Sequence, residues 1–145
     1  MDFRDYLKLA ATLAAGPAEA DWRSAISRAY YAAFHVAREL LISLGFRVPR
    51  ADRAHSYMWL RIANAGAADV TLAGNRLNAL RGLRNLADYD STASMSQASA
   101  VNEVKNAKDI IQALDAAALE PIRTQITDVM KIHERDILHD VTWHP

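Results

Sequence analysis

Residues 19–44 read EADWRSAISRAYYAAFHVARELLISL, and this segment sets the expected architecture of the chain. Successive residues of an α-helix are about 100° apart, which aligns the apolar side chains in one stripe. That stripe consists of Trp22, Ile26, Tyr30, Ala33, Ala37, Leu40 and Leu44. Ala25, Ala29, Ala32 and Val36 flank it on one side, and Ser27, Tyr31 and Phe34 flank it on the other. Only a narrow polar strip remains: Ser24, Arg28, His35 and Glu39. A helix that is apolar around most of its circumference is central, so we expect one long helix ending at Gly45.

The rest of the chain also predicts helices. About one residue in five is alanine, the best helix former, while there are only 5 glycines and 4 prolines. We predict an all-α up-and-down bundle of five to six helices around the long second one. Asp52 is the expected N-cap of the third helix, and Ser94 with Gln97 forms an expected capping box for the fifth. The other helices are expected over about 3–15, 53–64, 69 or 71 to 89, 95–117 and 120–139.

Length and composition exclude several classes of protein. A chain of 145 residues fits one domain, over 1–145. It has no cysteine, which excludes disulfide scaffolds and thiol catalysis. No apolar run is long enough to cross a membrane, and the N-terminus lacks a signal-peptide pattern. We therefore expect a cytoplasmic protein without membrane association. The histidines lack the spacing of helix-borne metal ligands, and we expect neither a metal nor a cofactor.

Charge is balanced overall but segregated along the chain. Residues 47–84 contain seven arginines against two acids, a local net charge of +5. Residues 85–145 contain ten acids against five bases, a net charge of −5. Two interpretations stay open: the basic segment pairs with the acidic one, inside one bundle or across a dimer, or it forms a surface for phosphate groups. The arginines are Arg47, Arg50, Arg53, Arg61, Arg76, Arg81 and Arg84.

The fourth predicted helix carries the strongest candidate chemistry, in the segment LRGLRNLADYD at residues 80–90. Helical spacing places Arg84 at the edge of the buried stripe, where a guanidinium needs a partner. Asp88 lies four residues on, and an Arg84–Asp88 structural pair is one interpretation. The other is an arginine held ready to stabilise phosphate charge, with Asn85 hydrogen-bonding beside it.

Two segments resemble the HEPN domain family (higher eukaryotes and prokaryotes nucleotide-binding). SRAYYAAFHVAR at residues 27–38 resembles the long helix of the family, and LRNLADYD at 83–90 resembles its arginine motif. The basic loop around His55 resembles the histidine segment between them, so the resemblance covers about residues 20–117. It implies a helical homodimer of the kind found beside nucleotidyltransferase proteins in toxin–antitoxin or defence systems. Many members are metal-independent endoribonucleases.

The resemblance also indicates candidate site residues. Arg84 and Asn85 match the first positions of the family's catalytic motif, but Tyr89 occupies the histidine position. A tyrosine, with a pKa near ~10, is a poor base at neutral pH, so the chain is similar to the branch without the catalytic histidine. Arg84, Asn85 and Tyr89 are therefore the candidate catalytic residues. The candidate phosphate-binding residues are Arg47, Arg50, Arg53, His55 and Arg81.

Three functions follow as hypotheses. The first is a dimeric RNA- or nucleotide-associated partner or regulator in a toxin–antitoxin or defence system. The second is a metal-independent endoribonuclease with a non-standard active site, made of Arg84, Asn85 and Tyr89 with or without His35 or His55. The third is a structural helical scaffold whose charge asymmetry serves assembly. The C-terminal segment ending in Trp143-His144-Pro145 is expected either to dock on a neighbouring subunit or to be loose.

Overall fold

The computed structural model describes all 145 residues, and they form an up-and-down bundle of six α-helices without a β-strand. The predicted all-α class and the long second helix are confirmed. No helix combines the length and the apolarity that spanning a membrane requires. The helices are α1 (Asp5–Ala14), α2 (Glu19–Leu44), α3 (Arg53–Ile62), α4 (Ala68–Tyr89), α5 (Gln97–Ala117) and α6 (Ile122–His133), and a π-helical turn (Glu134–Leu138) continues α6.

Helix α2 is the centre of the bundle. It packs against α1, α4 and α5, while α3 packs mainly against α4. Ile26, Tyr30 and Leu41 of α2 are fully buried, and so are the small residues Ala25 and Ala29 that flank them. Because alanine side chains occupy little space, neighbouring helices approach this face closely. One continuous apolar core results, running from α1 to α6.

The ends of the helices correct two sequence predictions. Gly45 ends α2 as expected, with a left-handed φ of +106°. Asp52 does not cap α3, because its own backbone is already helical and its side chain makes no cap hydrogen bond. The cap of α5 is Ser96 and not Ser94, and its Oγ accepts a hydrogen bond from the amide of Ser99 at 3.0 Å. Glu19 accepts a hydrogen bond from the Met95 amide at 3.0 Å, which holds that residue outside the helix.

Arg23 of α2 fixes the C-terminal end of α4. Its guanidinium donates to the carbonyl oxygens of Leu86, Ala87 and Asp90 at 3.2, 3.0 and 2.9 Å, and also to that of Ala93. Leu86 and Ala87 belong to the last turn of α4, where carbonyl oxygens lack the full set of partners within the helix, and Asp90 and Ala93 follow it. A cation at this end is also favoured by the helix dipole. The last turn of α4, which carries Asp88 and Tyr89, is thereby held against α2.

The C-terminal segment docks on its own chain, so both expectations for it were wrong. Trp143 forms a single bridge with Phe46, and its indole N–H donates to the carbonyl of Leu44 at 2.8 Å. The fully buried carboxylate of Glu134 organises this contact. It accepts hydrogen bonds from the amides of Thr142 and Trp143, both at 3.0 Å, and from the Thr142 hydroxyl at 2.5 Å. Hydrogen bonds to the Glu134 carboxylate and from the Trp143 indole therefore hold the segment against its own bundle.

Candidate functional site

Arg84 occupies the interior side of α4, at the position that helical spacing predicts. Its side chain is buried, with only 7% of the residue exposed. The guanidinium carbon lies 5.4 Å from the ring centre of Tyr30, 5.2 Å from that of Tyr31 and 6.0 Å from that of Tyr89. Aromatic faces attract a cation at such distances. Tyr30 and Tyr31 come from the apolar stripe of α2 and its flank, whereas Tyr89 belongs to α4 itself.

The predicted partner of Arg84 does not neutralise it fully. The nearest guanidinium nitrogen is 3.9 Å from the Asp88 carboxylate, and no hydrogen bond joins them. Asp88 instead accepts a hydrogen bond from the hydroxyl of Ser27 at 3.0 Å. The Nε atom of Arg84 is buried and has no hydrogen-bond partner in the protein. A buried donor without a partner is costly, so this guanidinium has unused capacity to bind an anion.

His55 joins this cluster from α3. Its Nδ1 lies 2.5 Å from the Tyr30 hydroxyl, and the two rings stack with their centres 5.6 Å apart. Burial lowers the pKa of His55, and the positive charges of Arg81 and Arg84 lower it further. Burial also raises the pKa of Tyr30, so its hydroxyl stays protonated. The cluster therefore combines cationic arginines with a neutral imidazole at pH 7.

A groove of about 570 Å³ adjoins the cluster, between the N-terminal segment, α2 and the loop before α3. Phe3 and His35 stack in parallel at one wall, with ring centres 3.5 Å apart and planes 11° apart. Burial lowers the pKa of His35, and so does the nearby charge of Arg38. The other polar and aromatic lining residues are Tyr31, Phe34, Arg50, Asp52 and His55.

A second open cavity of about 480 Å³ lies at the end of α4. Tyr89, which is 80% exposed, lines it together with Glu19, Asp88 and Asp90. Hydrogen bonds from the Met95 amide and from Arg23 lower the pKa of Glu19, so the cavity is rich in carboxylate charge. Such a lining disfavours phosphate. Asn85, the remaining candidate catalytic residue, is exposed on α4.

The basic segment divides into two groups. Arg61 is buried and pairs with Glu134 at 2.8 Å and with Asp140 at 3.3 Å, so for this residue pairing with the acidic segment is correct. The remaining arginines make no ion pair apart from the long Arg84–Asp88 contact. Of these, Arg81 is half-buried beside His55, and four are exposed: Arg47, Arg50, Arg53 and Arg76.

Sequence reasoning missed part of this site. Tyr30, Tyr31 and Phe34 were assigned to the helix core, and Phe3 and Arg38 were given no role. The missed signal is the density of aromatic residues around His35 in the long helix, which is more than a core needs. The spacing of the five histidines along the sequence predicted no part of this cluster. No group of three histidine or carboxylate side chains lies close enough together to hold a metal ion.

Comparison with known proteins gives one match. A family model described as the HEPN domain matches residues 5–117, which extends from the start of α1 to the end of α5. No curated protein and no solved structure matches the chain. The matched region contains Arg84, His55 and almost all of the groove, whereas α6 and the docked C-terminal segment lie beyond it. One domain over 1–145 stays a prediction.

Proposed function

Because the chain belongs to the HEPN domain family, we propose that it is a dimeric RNA- or nucleotide-associated protein, acting as a partner or regulator in a toxin–antitoxin or defence system. Membership of the family indicates a function related to nucleotides or RNA, and HEPN domains commonly dimerise. The proposed partner is a protein of the nucleotidyltransferase class. The proposed phosphate contacts are Arg84, Arg81 and His55, with the exposed cations Arg47, Arg50 and Arg53.

The state of Arg84 is the observation that carries this proposal. Its guanidinium is buried among tyrosine rings, its Nε is unpartnered, and Asp88 is too far away for a hydrogen bond. An uncompensated buried charge is costly. A phosphate oxygen would supply the missing acceptor through a charge-assisted hydrogen bond. Arg81 adds a second cation near the same place, as its effect on the pKa of His55 indicates.

Salt-dependent binding tests the proposal. Fluorescence anisotropy with a labelled single-stranded RNA is measured at rising salt for the wild type and for Arg84→Met and Arg81→Ala. Each phosphate contact that is lost should reduce the slope of log K against log[salt] by about 0.7–1. Arg76→Ala is the matched control, since Arg76 is an exposed cation of α4 that lines a separate cavity with Asp69 and Asp109.

Two outcomes would contradict the RNA part of the proposal. One is the absence of RNA and nucleotide binding at low salt. The other is a slope in Arg84→Met and in Arg81→Ala that equals the wild-type slope, which would mean that these arginines make no phosphate contact. Absence of all binding would favour the structural scaffold, in which the charge asymmetry serves assembly alone.

Exposed apolar side chains support the proposed dimer. Leu72 and Leu86 lie on the outer face of α4, and both are more than two-fifths exposed. Burying such residues against a second copy would be favourable. Sedimentation at micromolar concentration should show a dimer, and Leu86→Glu should shift it toward the monomer. A wild type that sediments only as a monomer would contradict this part.

His55 favours a second candidate function, a metal-independent endoribonuclease. Its neutral imidazole lies in the same cluster as Arg84, as a general base would require. With the Nδ1 proton donated to the Tyr30 oxygen, Nε2 is free to accept the proton of a ribose 2′-hydroxyl. The 2′-oxygen then bonds to phosphorus while the bond between phosphorus and the 5′-oxygen breaks, and the leaving 5′-oxygen takes up a proton from water. The products are a 2′,3′-cyclic phosphate and a 5′-hydroxyl end, and Arg84 stabilises the phosphate charge.

Cleavage of RNA in the presence of a chelator tests this second candidate. The wild type should cleave, while His55→Ala and Arg84→Met should lose about a hundredfold or more in rate. Tyr89→Phe separates the two possible sites, because it removes the hydroxyl at the family's histidine position and leaves His55 intact. Strong expression of the wild type should also arrest growth. Absence of cleavage together with normal growth would exclude the candidate.

A further inference from the structure

We propose that the groove between the N-terminal segment, α2 and the loop before α3 binds one unpaired nucleotide, with its base against the aromatic wall and its phosphate on Arg38 and Arg50. This inference rests on the proposed function and deepens it, since it assigns the base-reading part of the site. It is distinct from the Arg84 cluster, to which His55 and Tyr31 connect it.

The aromatic wall supplies stacking surface. Phe3 stacks in parallel on His35, and Phe34 meets the same imidazole edge-on with ring centres 5.2 Å apart. Tyr31 packs against Phe34 with centres 5.7 Å apart. Flat aromatic faces and edges beside one opening are the recurring means by which proteins hold an exposed base, because every base has a π-face.

Charge in the groove matches a phosphate. Arg38 and Arg50 line the groove and form neither an ion pair nor a side-chain hydrogen bond with the protein. Asp52 is the only acidic residue in the lining, so the groove keeps a net positive charge. Arg4, by contrast, faces Asp115 and is paired with it at 2.7 Å. Two free guanidinium groups beside an aromatic wall therefore fit an anion that carries a ring.

Size favours a single nucleotide in an unpaired segment. A volume of about 570 Å³ lies within the usual range for small-molecule sites, about 300–1,000 Å³. Base-paired RNA hides the faces of its bases, whereas unpaired bases can turn out and stack on aromatic side chains. The occupant is therefore either a free nucleotide or an unpaired nucleotide of RNA. Both present the same base and phosphate.

The first experiment tests whether the protein contacts the bases of RNA or only its sugar–phosphate backbone. Anisotropy is compared for a single-stranded RNA octamer and an abasic octamer of equal charge. The wild type should bind the RNA about tenfold or more tightly than the abasic chain. Phe3→Leu, which keeps apolar volume and loses the flat ring, should abolish this preference and leave abasic binding unchanged. Leu9→Ala is the control, since Leu9 is an exposed apolar residue of nearby α1.

The second experiment identifies the source of the nucleotide. The histidine C2–H resonances are followed by NMR while adenosine monophosphate or ribose 5-phosphate is added. The base-containing ligand should shift the His35 signal, and Arg38→Ala should weaken this effect at least severalfold. The sugar phosphate should leave the ring signals nearly unchanged. A response to the mononucleotide without any RNA binding would assign the groove to free nucleotides and would contradict the RNA part of the proposed function.

Two results would overturn the inference while the proposed function stands. One is equal affinity for the RNA and abasic octamers together with salt slopes that still depend on Arg81 and Arg84. The other is a His35 signal that responds to neither small ligand. If both octamers fail to bind and neither ligand shifts His35, the groove and the proposed function fail together.

Discussion

Arg61 and Arg84 are two buried arginines of the same basic segment, and the protein uses them differently. Arg61 is 3% exposed, donates through Nε to Glu134 at 2.8 Å and lies 3.5 Å over the ring of Tyr57. Arg84 is 7% exposed and also lies over tyrosine rings, but it donates no hydrogen bond to the protein. Burial alone therefore does not indicate the role of an arginine. The role is indicated by whether its N–H groups already have acceptors in the protein.

The surroundings of the two residues extend the contrast. Each guanidinium nitrogen of Arg61 donates to a protein acceptor, namely the Glu134 carboxylate, the Tyr57 carbonyl or Asp140, so an external anion finds no free nitrogen. This site closes the C-terminal segment onto the bundle. Around Arg84, the acid within reach is occupied by Ser27, and the adjoining His55 is neutral. The ion pairs of Arg61 stabilise the fold, whereas Arg84 keeps an Nε–H group without an acceptor in the protein.

The largest expected effect comes from removing the acceptor of Arg61. Glu134→Ala leaves a buried guanidinium without its main partner and frees the C-terminal segment, which should lower the free energy of unfolding by about 3–5 kcal/mol. Urea denaturation measures this loss. Arg84→Met is the matched control and should change the free energy by no more than about 1 kcal/mol, since it removes only cation–π contacts and an unpaired charge.

A double variant keeps this prediction testable if Glu134→Ala does not fold. Arg61→Met combined with Glu134→Leu replaces the ion pair with apolar side chains, and such a replacement is often neutral. It should recover much of the lost stability. If Glu134→Ala and Arg84→Met cost the same, the proposed distinction between a closed and an open arginine is wrong.

Acid should weaken the closed site by protonating Glu134. Burial by itself would raise the pKa of Glu134, but the hydrogen bonds from Thr142, Arg61 and the Trp143 amide hold it below its usual value. A carboxyl with a lower pKa in the folded state adds stability above its unfolded pKa of about 4.3, and that stability is lost as the pH falls through the folded value.

Urea denaturation between pH 7 and pH 3 checks this dependence. The wild type should lose stability below about pH 4.3, and Glu134→Gln should be less stable at pH 7 and should lose less on acidification. Asp128→Asn is the control, because Asp128 is an exposed carboxylate without an ion pair, and it should follow the wild type. An unchanged acid profile in Glu134→Gln would show that this carboxylate does not stabilise the folded state by being ionised.

Much of the fold could be predicted because its signals are local. The bounds of α2 follow from its unbroken apolar stripe and from Gly45, whose left-handed φ ends the helix. The caps at Asp52 and Ser94 were wrong, because a cap depends on the backbone around it. Contacts between distant residues set that backbone, such as Glu19 with Met95, 76 positions apart. A short motif does not contain such information.

The site could be predicted only in part, for the same reason. Helical spacing indicated that Arg84 lies near the buried face, but its tyrosine neighbours Tyr30 and Tyr31 come from another helix. Charge segregation indicated pairing between the basic and acidic segments without naming a pair, and Arg61 lies 73 positions from Glu134. Placing His55 beside Tyr30 required the packing of α3, which no periodicity supplies.

A smaller effect should separate charge from shape at the open site. Arg84→Lys keeps one positive charge but loses the planar group that packs over the tyrosines and the ability to bind a phosphate through two donors. Affinity for single-stranded RNA should fall by about tenfold to a hundredfold, since a lost hydrogen bond to a charged group costs roughly 1.5–3 kcal/mol. The salt slope should stay near the wild-type value. Arg61→Lys should leave RNA affinity unchanged in any variant that folds, and a loss there would contradict the assignment of Arg61 to the fold.

The smallest expected effect is a change in the pKa of His55, which reports directly whether the charge of Arg84 is uncompensated. Burial is the main reason that this pKa is low, and the charges of Arg81 and Arg84 add to it. Arg84→Met should therefore raise the pKa without restoring its ordinary value, and bound RNA should raise it too, because phosphate would offset the cations.

The same shift links the stability of the fold to pH. Since the folded pKa of His55 lies below the unfolded one, the contribution of His55 to stability is lost as the pH falls below about 6.5, and Arg84→Met should reduce that loss. NMR titration of the C2–H resonance measures the pKa, with Arg76→Ala as the unchanged control. If neither Arg84→Met nor bound RNA changes the pKa of His55, then Asp88, although 3.9 Å away, already neutralises the charge of the Arg84 guanidinium.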